Sequence, residues 1–151
     1  MTSEIRIDKD GVWYYRGAPM INREIVRFLY QHLDVDDGGA ILIRYRGQSC
    51  PVDIEDSPFV VERVFLVNEL STYDVLLNDN TVEALNPETL WIDEQNIPRC
   101  RVKQSRFNAR FSRKGYYELA TFIRYDPCKD TYYLPLGKRR IDIQTREPWR
   151  R

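Results

Sequence analysis

The chain has 151 residues, of which 42% are hydrophobic and 13% aromatic, a composition that excludes an intrinsically disordered protein. A chain of this length can bury enough surface to fold without a disulfide or a structural metal. No apolar run reaches the roughly 18 residues that span a membrane, and the N-terminus lacks a signal-peptide pattern. The three widely spaced cysteines, Cys50, Cys100 and Cys128, fit reduced thiols, so we expect a cytoplasmic protein.

The formal net charge of zero, from 23 basic and 23 acidic residues, conceals an asymmetry along the chain. Residues 99–151 carry 15 basic and five acidic side chains, a net charge of +10, and residues 1–98 carry the compensating −10. Either the two segments neutralise each other inside one fold, or the basic segment meets an acidic partner. The asymmetry therefore directs the search for a binding surface to the C-terminal third.

The first 39 residues predict a β-hairpin followed by a helix. Apolar runs flank Asp10-Gly11, a dipeptide typical of tight hairpin turns because glycine accepts a positive φ. Apolar residues then recur at helical spacing from about residue 23 to residue 33, and Asn22 is a candidate N-cap. We expect a single domain over residues 1–151. Within it, residues 1–39 and 40–151 are candidate subdomains.

Short strands dominate the rest of the chain. The predicted strands cover residues 40–45, 48–52, 59–67, 73–77, 81–85, 99–103, 106–112, 131–136 and 140–143. One helical turn is expected near residues 86–88, and a second helix near 113–125 with Ser112 as its cap. No internal sequence repeat is visible. Tight turns between short strands favour antiparallel pairing, so the sequence predicts an α+β fold with two helices and an N-terminal hairpin.

Several short motifs resemble those of a known family. They are Asp10-Gly11-Val12-Trp13, Gly17-Ala18-Pro19-Met20, Val52-Asp53-Ile54-Glu55-Asp56-Ser57-Pro58-Phe59, Tyr116-Tyr117-Glu118-Leu119-Ala120 and Tyr133-Leu134-Pro135-Leu136-Gly137. In content and order they resemble the bacterial domain-of-unknown-function family 1285, whose members are small uncharacterised proteins, mostly from proteobacteria. The resemblance implies an α+β fold with a strongly curved sheet, for which a pleckstrin-homology-like barrel is one candidate. It implies no catalytic residue, because the family has no established activity.

An acidic cluster, Asp53, Glu55 and Asp56, precedes a proline-containing turn. On a strand, Asp53 and Glu55 would share one face, as a hard cation or a general base requires. The favoured alternative is a solvated strand end whose acids pair with basic residues or cap the turn at Ser57. A metal-dependent hydrolase is therefore the weakest functional hypothesis, and we expect neither a metal nor a cofactor.

Other enzyme signals are weak. His32 is the sole histidine and lies near a predicted helix end, where a structural role is favoured. The cysteines form no C-x-x-C pair, and no glycine-rich nucleotide loop is present. Cys50 and Cys100 are interpreted as small core residues and Cys128 as exposed. We therefore expect no catalytic residue.

A basic stripe is the most suggestive feature. It comprises Arg99, Arg101, Lys103, Arg106 and Arg110, which alternate with apolar residues on two predicted strands. The stripe could pair with the acidic segment of the same chain, bind a protein partner or a second copy, or bind nucleic acid or another polyanion. The sequence thus favours a non-enzymatic binding or regulatory module that uses its basic C-terminal third, and a polyanion-binding regulator is the alternative.

Overall fold

The computed structural model describes residues 3–67 and 72–147, which form two six-stranded sheets, a three-stranded sheet and two α-helices. The first sheet contains β1 (Ile5–Ile7), β2 (Trp13–Tyr15), β3 (Ala18–Pro19), β4 (Leu33–Val35), β5 (Ile41–Tyr45) and β6 (Gln48–Ile54). The second contains β7 (Phe59–Val67), β8 (Thr72–Leu77), β9 (Val82–Ala84), β10 (Trp91–Ile92), β11 (Pro98–Val102) and β12 (Phe107–Phe111). The third contains β13 (Arg124–Asp126), β14 (Thr131–Leu136) and β15 (Arg139–Asp142). The helices are α1 (Arg23–Gln31) and α2 (Arg113–Ala120).

The two large sheets share one topology. In the first, the strand order is β3-β2-β1-β6-β5-β4, and in the second it is β10-β11-β12-β7-β8-β9. At the centre of the first sheet β1 pairs in parallel with β6, and at the centre of the second sheet β7 pairs in parallel with β12. These are the first and last strands of each sheet in chain order, and every other pair in the two sheets is antiparallel. The chain between the third and fourth strands is α1 in the first sheet and a 3-10 turn, Pro87–Thr89, in the second. The fold is therefore α+β and mostly antiparallel, as predicted.

Local turn and cap chemistry follows the predictions. Gly11 has a φ of +83° in the β1–β2 hairpin, and Gly47 has a φ of +77° between β5 and β6. The Asn22 side chain accepts hydrogen bonds from two backbone N–H groups of the first turn of α1. Ser112 caps α2 in the same way, through the N–H of Gly115. These residues fix where each element begins because they satisfy backbone donors that have no partner within the helix.

Both predicted helices extend too far. We expected α1 to reach residue 33, but it ends at Gln31, and Leu33 begins β4, where it pairs with Ile43. We expected α2 to reach about residue 125, but it ends at Ala120, and β13 follows at Arg124. Leu33 packs into the core from a strand, and Ile123 lies in the connection between α2 and β13, so helical periodicity alone predicted the wrong element in both places. The two-residue strands β3 and β10 were not predicted.

One hydrophobic core joins the elements. The Tyr30 ring from α1 meets Trp13 of the first sheet at 4.9 Å between centroids and stacks on Phe59 of the second at 4.8 Å. Leu119 of α2 and Leu134 of β14 are also fully buried in this core. Because aromatic pairs at these distances are attractive beyond their buried area, the Tyr30 ring holds the two large sheets together.

The sheets are open in the part of the chain that the structure describes. β3 and β4 are the edges of the first sheet, and β9 and β10 are the edges of the second. Next to β10, Trp91 bridges Gln144, so the segment after the third sheet lies along that edge. The strand pairing thus shows open sheets, and the pleckstrin-homology-like barrel stays a prediction.

Candidate functional site

Arg99, Arg101 and Arg110 of the basic stripe lie on one face of β11 and β12, as the alternation predicted, whereas Lys103 and Arg106 lie in the turn that joins the two strands. Cys100 and Val102 are buried on the opposite face, together with Phe107, Ala109 and Phe111. On the polar face, Arg99 and Arg110 contact Asp56 of the acidic cluster, which lies in the connection between β6 and β7. The two candidate sites that the sequence suggested separately are therefore neighbours in the fold.

Arg99 makes most of the contacts between the basic stripe and the acidic cluster. Its Nη2 lies 2.9 Å from Asp56 Oδ1 and its Nη1 lies 3.1 Å from Asp56 Oδ2. Its Nε donates to Asp93 Oδ2 at 2.9 Å, and Nη1 also donates to the hydroxyl of the buried Ser57 at 3.0 Å. Arg110 adds a bond from Nη1 to Asp56 Oδ2 at 3.2 Å. The Arg99 side chain is only 15% exposed, so its charge is compensated within the fold by two carboxylates.

The electrostatics of Asp93 follow from the same contacts. Burial opposes its ionisation, but hydrogen bonds from the backbone N–H of Ile97, from Arg99 and from the N–H of Gln95 outweigh burial. The pKa of the Asp93 carboxyl therefore lies below its ordinary value. Asp93 stays ionised near neutral pH and serves as a fixed counter-charge for Arg99.

Lys103 follows the last residue of β11 and is held by the carboxylate of Asp79. Its Nζ lies 2.8 Å from Oδ2 of the buried Asp79 and 2.8 Å from the Thr81 hydroxyl. Lys103, Gln104 and Ser105 have φ values of 55°, 60° and 61°, so three successive non-glycine residues are left-handed. Such a conformation costs on the order of 1 kcal/mol per residue, and the Asp79–Lys103 ion pair helps to hold the strained loop.

Arg106 and Arg101 complete the stripe. Arg106 forms an ion pair with Asp34 on β4, which also pairs with Arg44 at 2.9 Å. The end of the β11–β12 hairpin is thereby joined to the edge of the first sheet. Arg101 donates from Nη1 to the side-chain oxygen of Asn108 at 3.0 Å. Arg99, Lys103, Arg106 and Arg110 thus pair with aspartates of the acidic segment.

The acidic cluster does not converge on one point. Asp53 accepts hydrogen bonds from the backbone and the hydroxyl of Ser3, and Glu55 accepts one from the backbone N–H of Lys9. Asp56 is occupied by Arg99 and Arg110. Across residues 3–67 and 72–147, no group of three or more His, Cys, Asp or Glu side chains is arranged to hold a metal ion. The contacts of the cluster are those of counter-charges and turn caps.

His32 and the cysteines occupy the places that the sequence predicted in broad terms. His32 is the C-cap of α1, and its ring lies between Phe28 at 4.6 Å and Tyr45 at 4.7 Å. Cys100 is buried, Cys50 half-buried and Cys128 exposed, and all three are free thiols. The ring contacts match a structural role for His32, and the full burial of Cys100 matches a core residue.

A second set of cations in the C-terminal third was not singled out by sequence reasoning. Its members are Arg113, Lys114, Lys129, Lys138 and Arg139. All five are exposed, and none of them forms an ion pair with a residue that the structure describes. Exposed tyrosines accompany them: Tyr117 is 65% exposed on α2, and Tyr125 and Tyr132 contact each other on the third sheet. No sequence signal separates these cations from the stripe, because only the fold shows which carboxylates are within reach.

Comparisons with known proteins add information on the fold alone. No protein-family model matches the sequence, and no curated protein matches it either. The structure is similar to that of a DUF1285 family protein from Silicibacter pomeroyi DSS-3, with a TM-score of 0.79 and 17% identity over 95% of this chain and 81% of that one. It is also similar to a DUF1285 family protein from Shewanella baltica OS155, with a TM-score of 0.68 and 14% identity over 79% of this chain and 91% of that one.

Both solved structures come from a family of unknown function, so they offer no activity to transfer. Among the described residues, none of the helices has the length and apolar character to cross a membrane. The chain therefore has the fold of DUF1285 family proteins, which the motifs around Asp10-Gly11 and Tyr116-Tyr117 had predicted.

Proposed function

We propose that this protein is a non-enzymatic binding or regulatory module that recognises anionic groups through the second set of cations, on α2 and around the third sheet. One observation carries the proposal: Arg113, Lys114, Lys129, Lys138 and Arg139 are exposed and form no ion pair in the described part of the chain. The stripe residues contribute less, since Arg99, Lys103, Arg106 and Arg110 would first have to leave their carboxylates.

The position of two of these cations favours an anionic ligand. Arg113 and Lys114 occupy the first turn of α2, which contains no acidic residue. The helix dipole is positive at this end, so it disfavours a cation and favours an anion. A bound carboxylate or phosphate would be attracted by both side chains and by the dipole.

The preferred partner is a protein surface rich in carboxylates, either on another protein or on a second copy of this chain. Nucleic acid is the second candidate, and the exposed Tyr117, Tyr125 and Tyr132 favour it because tyrosine rings stack on bases. We further propose that residues 1–151 form one domain, and that the protein works in the cytoplasm, where its three thiols stay reduced.

Heparin chromatography at low salt tests the anion-binding surface. Wild-type protein should be retained and should elute with a steep dependence on salt. The double variant Lys138→Gln/Arg139→Gln should elute clearly earlier. The matched control is Lys9→Gln/Arg46→Gln, which removes the same charge from exposed cations outside the C-terminal third and should elute like the wild type. Flow-through of the wild type, or equal elution of the two double variants, would overturn the proposal.

Two further measurements distinguish the partners. Light scattering should show a salt-sensitive mass above 18.0 kDa if the partner is a second copy. A single-stranded oligonucleotide titration should quench tyrosine fluorescence if the ligand is nucleic acid, and the Tyr132→Ala variant should weaken that binding. A monomer that binds no oligonucleotide but is retained on heparin would leave a carboxylate-rich partner protein as the ligand.

A further inference from the structure

A groove of about 700 Å³ is lined by residues between positions 11 and 80, outside the C-terminal third that carries the second set of cations. Its walls are α1 on one side and β7 with the β8–β9 turn on the other, and the β1–β2 hairpin contributes Gly11, Val12 and Trp13. Sites for small organic ligands have volumes of about 300–1,000 Å³ and are lined by apolar groups with a few convergent polar ones. The groove has the size and the mixed lining of such a site.

The base of the groove is rigid. Asn78 Nδ2 donates to the buried Tyr30 hydroxyl at 2.6 Å, and the N–H of Val60 donates to Asn78 Oδ1 at 3.0 Å. Gly11 packs so closely on Asn78 that a Cβ there would lie 2.4 Å from Asn78 Nδ2. The β1–β2 and β8–β9 turns are therefore locked together, and a ligand would meet a preformed surface.

Apolar side chains at the groove remain in contact with water. Ile21 is 89% exposed and Val12 is 39% exposed, although both line a concave surface. Met20 and Val26 are half-buried along the same wall. A ligand with an apolar body would remove this surface from water, which favours binding.

The charged groups of the groove are divided between its walls. Glu62 lies on the β7 wall, at an irregularity of the β7–β8 register between Val61 and Arg63, and such bulges re-aim side chains. It forms no ion pair among the described residues, and its charged neighbour is Asp79, which is already paired with Lys103. Burial, with a smaller contribution from Asp79, raises the pKa of Glu62 above its ordinary value.

The α1 wall carries the opposite sign at Arg23 and Arg27, with Glu24 between them in sequence. Neither arginine forms an ion pair with a described residue. Unpaired charges of opposite sign therefore face one groove from two walls. A ligand complementary to both must itself carry a positive and a negative group.

We propose that this groove binds a short apolar peptide with free termini, with its ammonium group at Glu62, its carboxylate at Arg23 and Arg27, and its side chains against Val12 and Ile21. The inference is independent of the anion-binding surface of the C-terminal third, because it uses different residues. A tripeptide is compatible with the volume of the groove and carries one terminal charge of each sign.

Titration of the full chain with Leu-Leu-Leu, followed by backbone amide NMR, tests this proposal. We expect saturable shifts at the amides of Gly11, Asn78 and Asn80. N-acetylated and C-amidated forms of the peptide should each bind about tenfold more weakly, since each loses one charge-assisted contact. Absence of saturable shifts, shifts confined to other regions, or equal binding of the blocked peptides would overturn the proposal.

Variants of Glu62 and Arg27 test which side chains bind the two ends of the peptide. Glu62→Gln should abolish the preference for the free over the acetylated peptide, and Arg27→Gln should reduce the preference for the free over the amidated one. Glu88→Gln, an exposed glutamate on the 3-10 turn outside the groove, is the matched control and should bind like the wild type. If Glu62→Gln retains the wild-type preference, the assignment of the ammonium group is wrong, and the melting temperature shows that each variant is folded.

Discussion

Asp56 forms an ion pair with Arg99 through two hydrogen bonds, one from Nη2 at 2.9 Å and one from Nη1 at 3.1 Å. Asp56 lies in the connection that leads from the first sheet to the second, and Arg99 lies on β11 of the second sheet. The pair therefore ties the junction between the sheets to a strand that follows it by 43 residues. Part of the charge asymmetry of the chain is thus neutralised inside the fold, and its remainder is exposed on other surfaces.

The pH dependence of stability follows from the carboxylates that accept hydrogen bonds. In Glu118 and Asp93, burial opposes ionisation, but hydrogen bonds and nearby arginines outweigh it, so their pKa values lie below the ordinary 4.5 and 3.8. A pKa that is lower in the folded state contributes stability above the unfolded-state value, and this contribution is lost as the pH falls through the folded-state value. The free energy of unfolding should therefore decline once the pH falls below about 4.5, the ordinary pKa of a glutamate.

Urea denaturation at pH 7, 5, 4 and 3 measures this effect. We expect a nearly constant free energy of unfolding between pH 7 and 5 and a steep loss at the two lower values. Asp93→Asn should lower the stability at pH 7 and flatten the decline. A wild-type protein that is equally stable at pH 5 and pH 3 would show that these carboxylates are not ionised partners in the native state.

Glu118 links α2 to β7. It accepts from Arg63 Nε at 3.0 Å and from the backbone N–H of Val64 at 3.0 Å. Glu118→Ala leaves both donors without their acceptor, so we expect a loss of about 2 kcal/mol in the free energy of unfolding. Glu118→Gln keeps an acceptor and should lose less, and the exposed Lys114→Ala should change little. Equal effects of Glu118→Ala and Lys114→Ala in urea denaturation would contradict this role.

Gly115 allows α2 to approach β7. A Cβ at this position would lie 2.6 Å from the carbonyl oxygen of Val61, which is backbone and cannot easily move. Gly115→Ala should therefore destabilise the protein by about 1–3 kcal/mol, although alanine favours an isolated helix by about 1 kcal/mol. At Gly38 the nearest atom would be the Asp36 carboxylate at 3.5 Å, so Gly38→Ala is the control. A stabilised Gly115→Ala variant would show that the close approach is not required.

The three thiols should differ in reactivity. Cys128 is exposed, whereas Cys100 is fully buried and burial raises the pKa of its thiol. Because the thiolate is the reactive form, a maleimide should label Cys128 rapidly in the native protein and Cys100 only on unfolding, with the half-buried Cys50 between them. Mass spectrometry of the labelled protein checks this order. A Cys128→Ser variant that keeps the rapid phase would refute it.

The fold was predictable where local chemistry decides it. Asp10-Gly11 marks a hairpin, Asn22 and Ser112 begin helices, and the alternation in β11 and β12 correctly separated the basic face from the buried face. The predictions failed where tertiary packing overrides periodicity: Leu33 and Arg124 belong to strands because β5 and β14 pair with them. The repeated topology of the two sheets leaves no trace as a sequence repeat.

The candidate site was predictable only in part. Sequence reasoning identified Asp56 and Arg99 as charged residues of interest, but it could not place them 2.9 Å apart, since 43 residues separate them. Long-range pairing also decides which cations remain exposed, so Lys138 and Arg139 could not be distinguished from Arg99 by composition. The groove beside Glu62 likewise depends on the contact between Gly11 and Asn78, which are distant in sequence.

The pairing of the acidic and basic segments is tested most directly by a double-mutant cycle. Asp56→Ala, Arg99→Ala and the double variant would be compared with the wild type by urea denaturation, with Glu94→Ala as a control for removing one exposed acid. We expect each single variant of the pair to lose about 3 kcal/mol and the double variant to lose much less than their sum, which gives a coupling energy of about 1–3 kcal/mol. Losses that add to within about 0.5 kcal/mol would contradict the account.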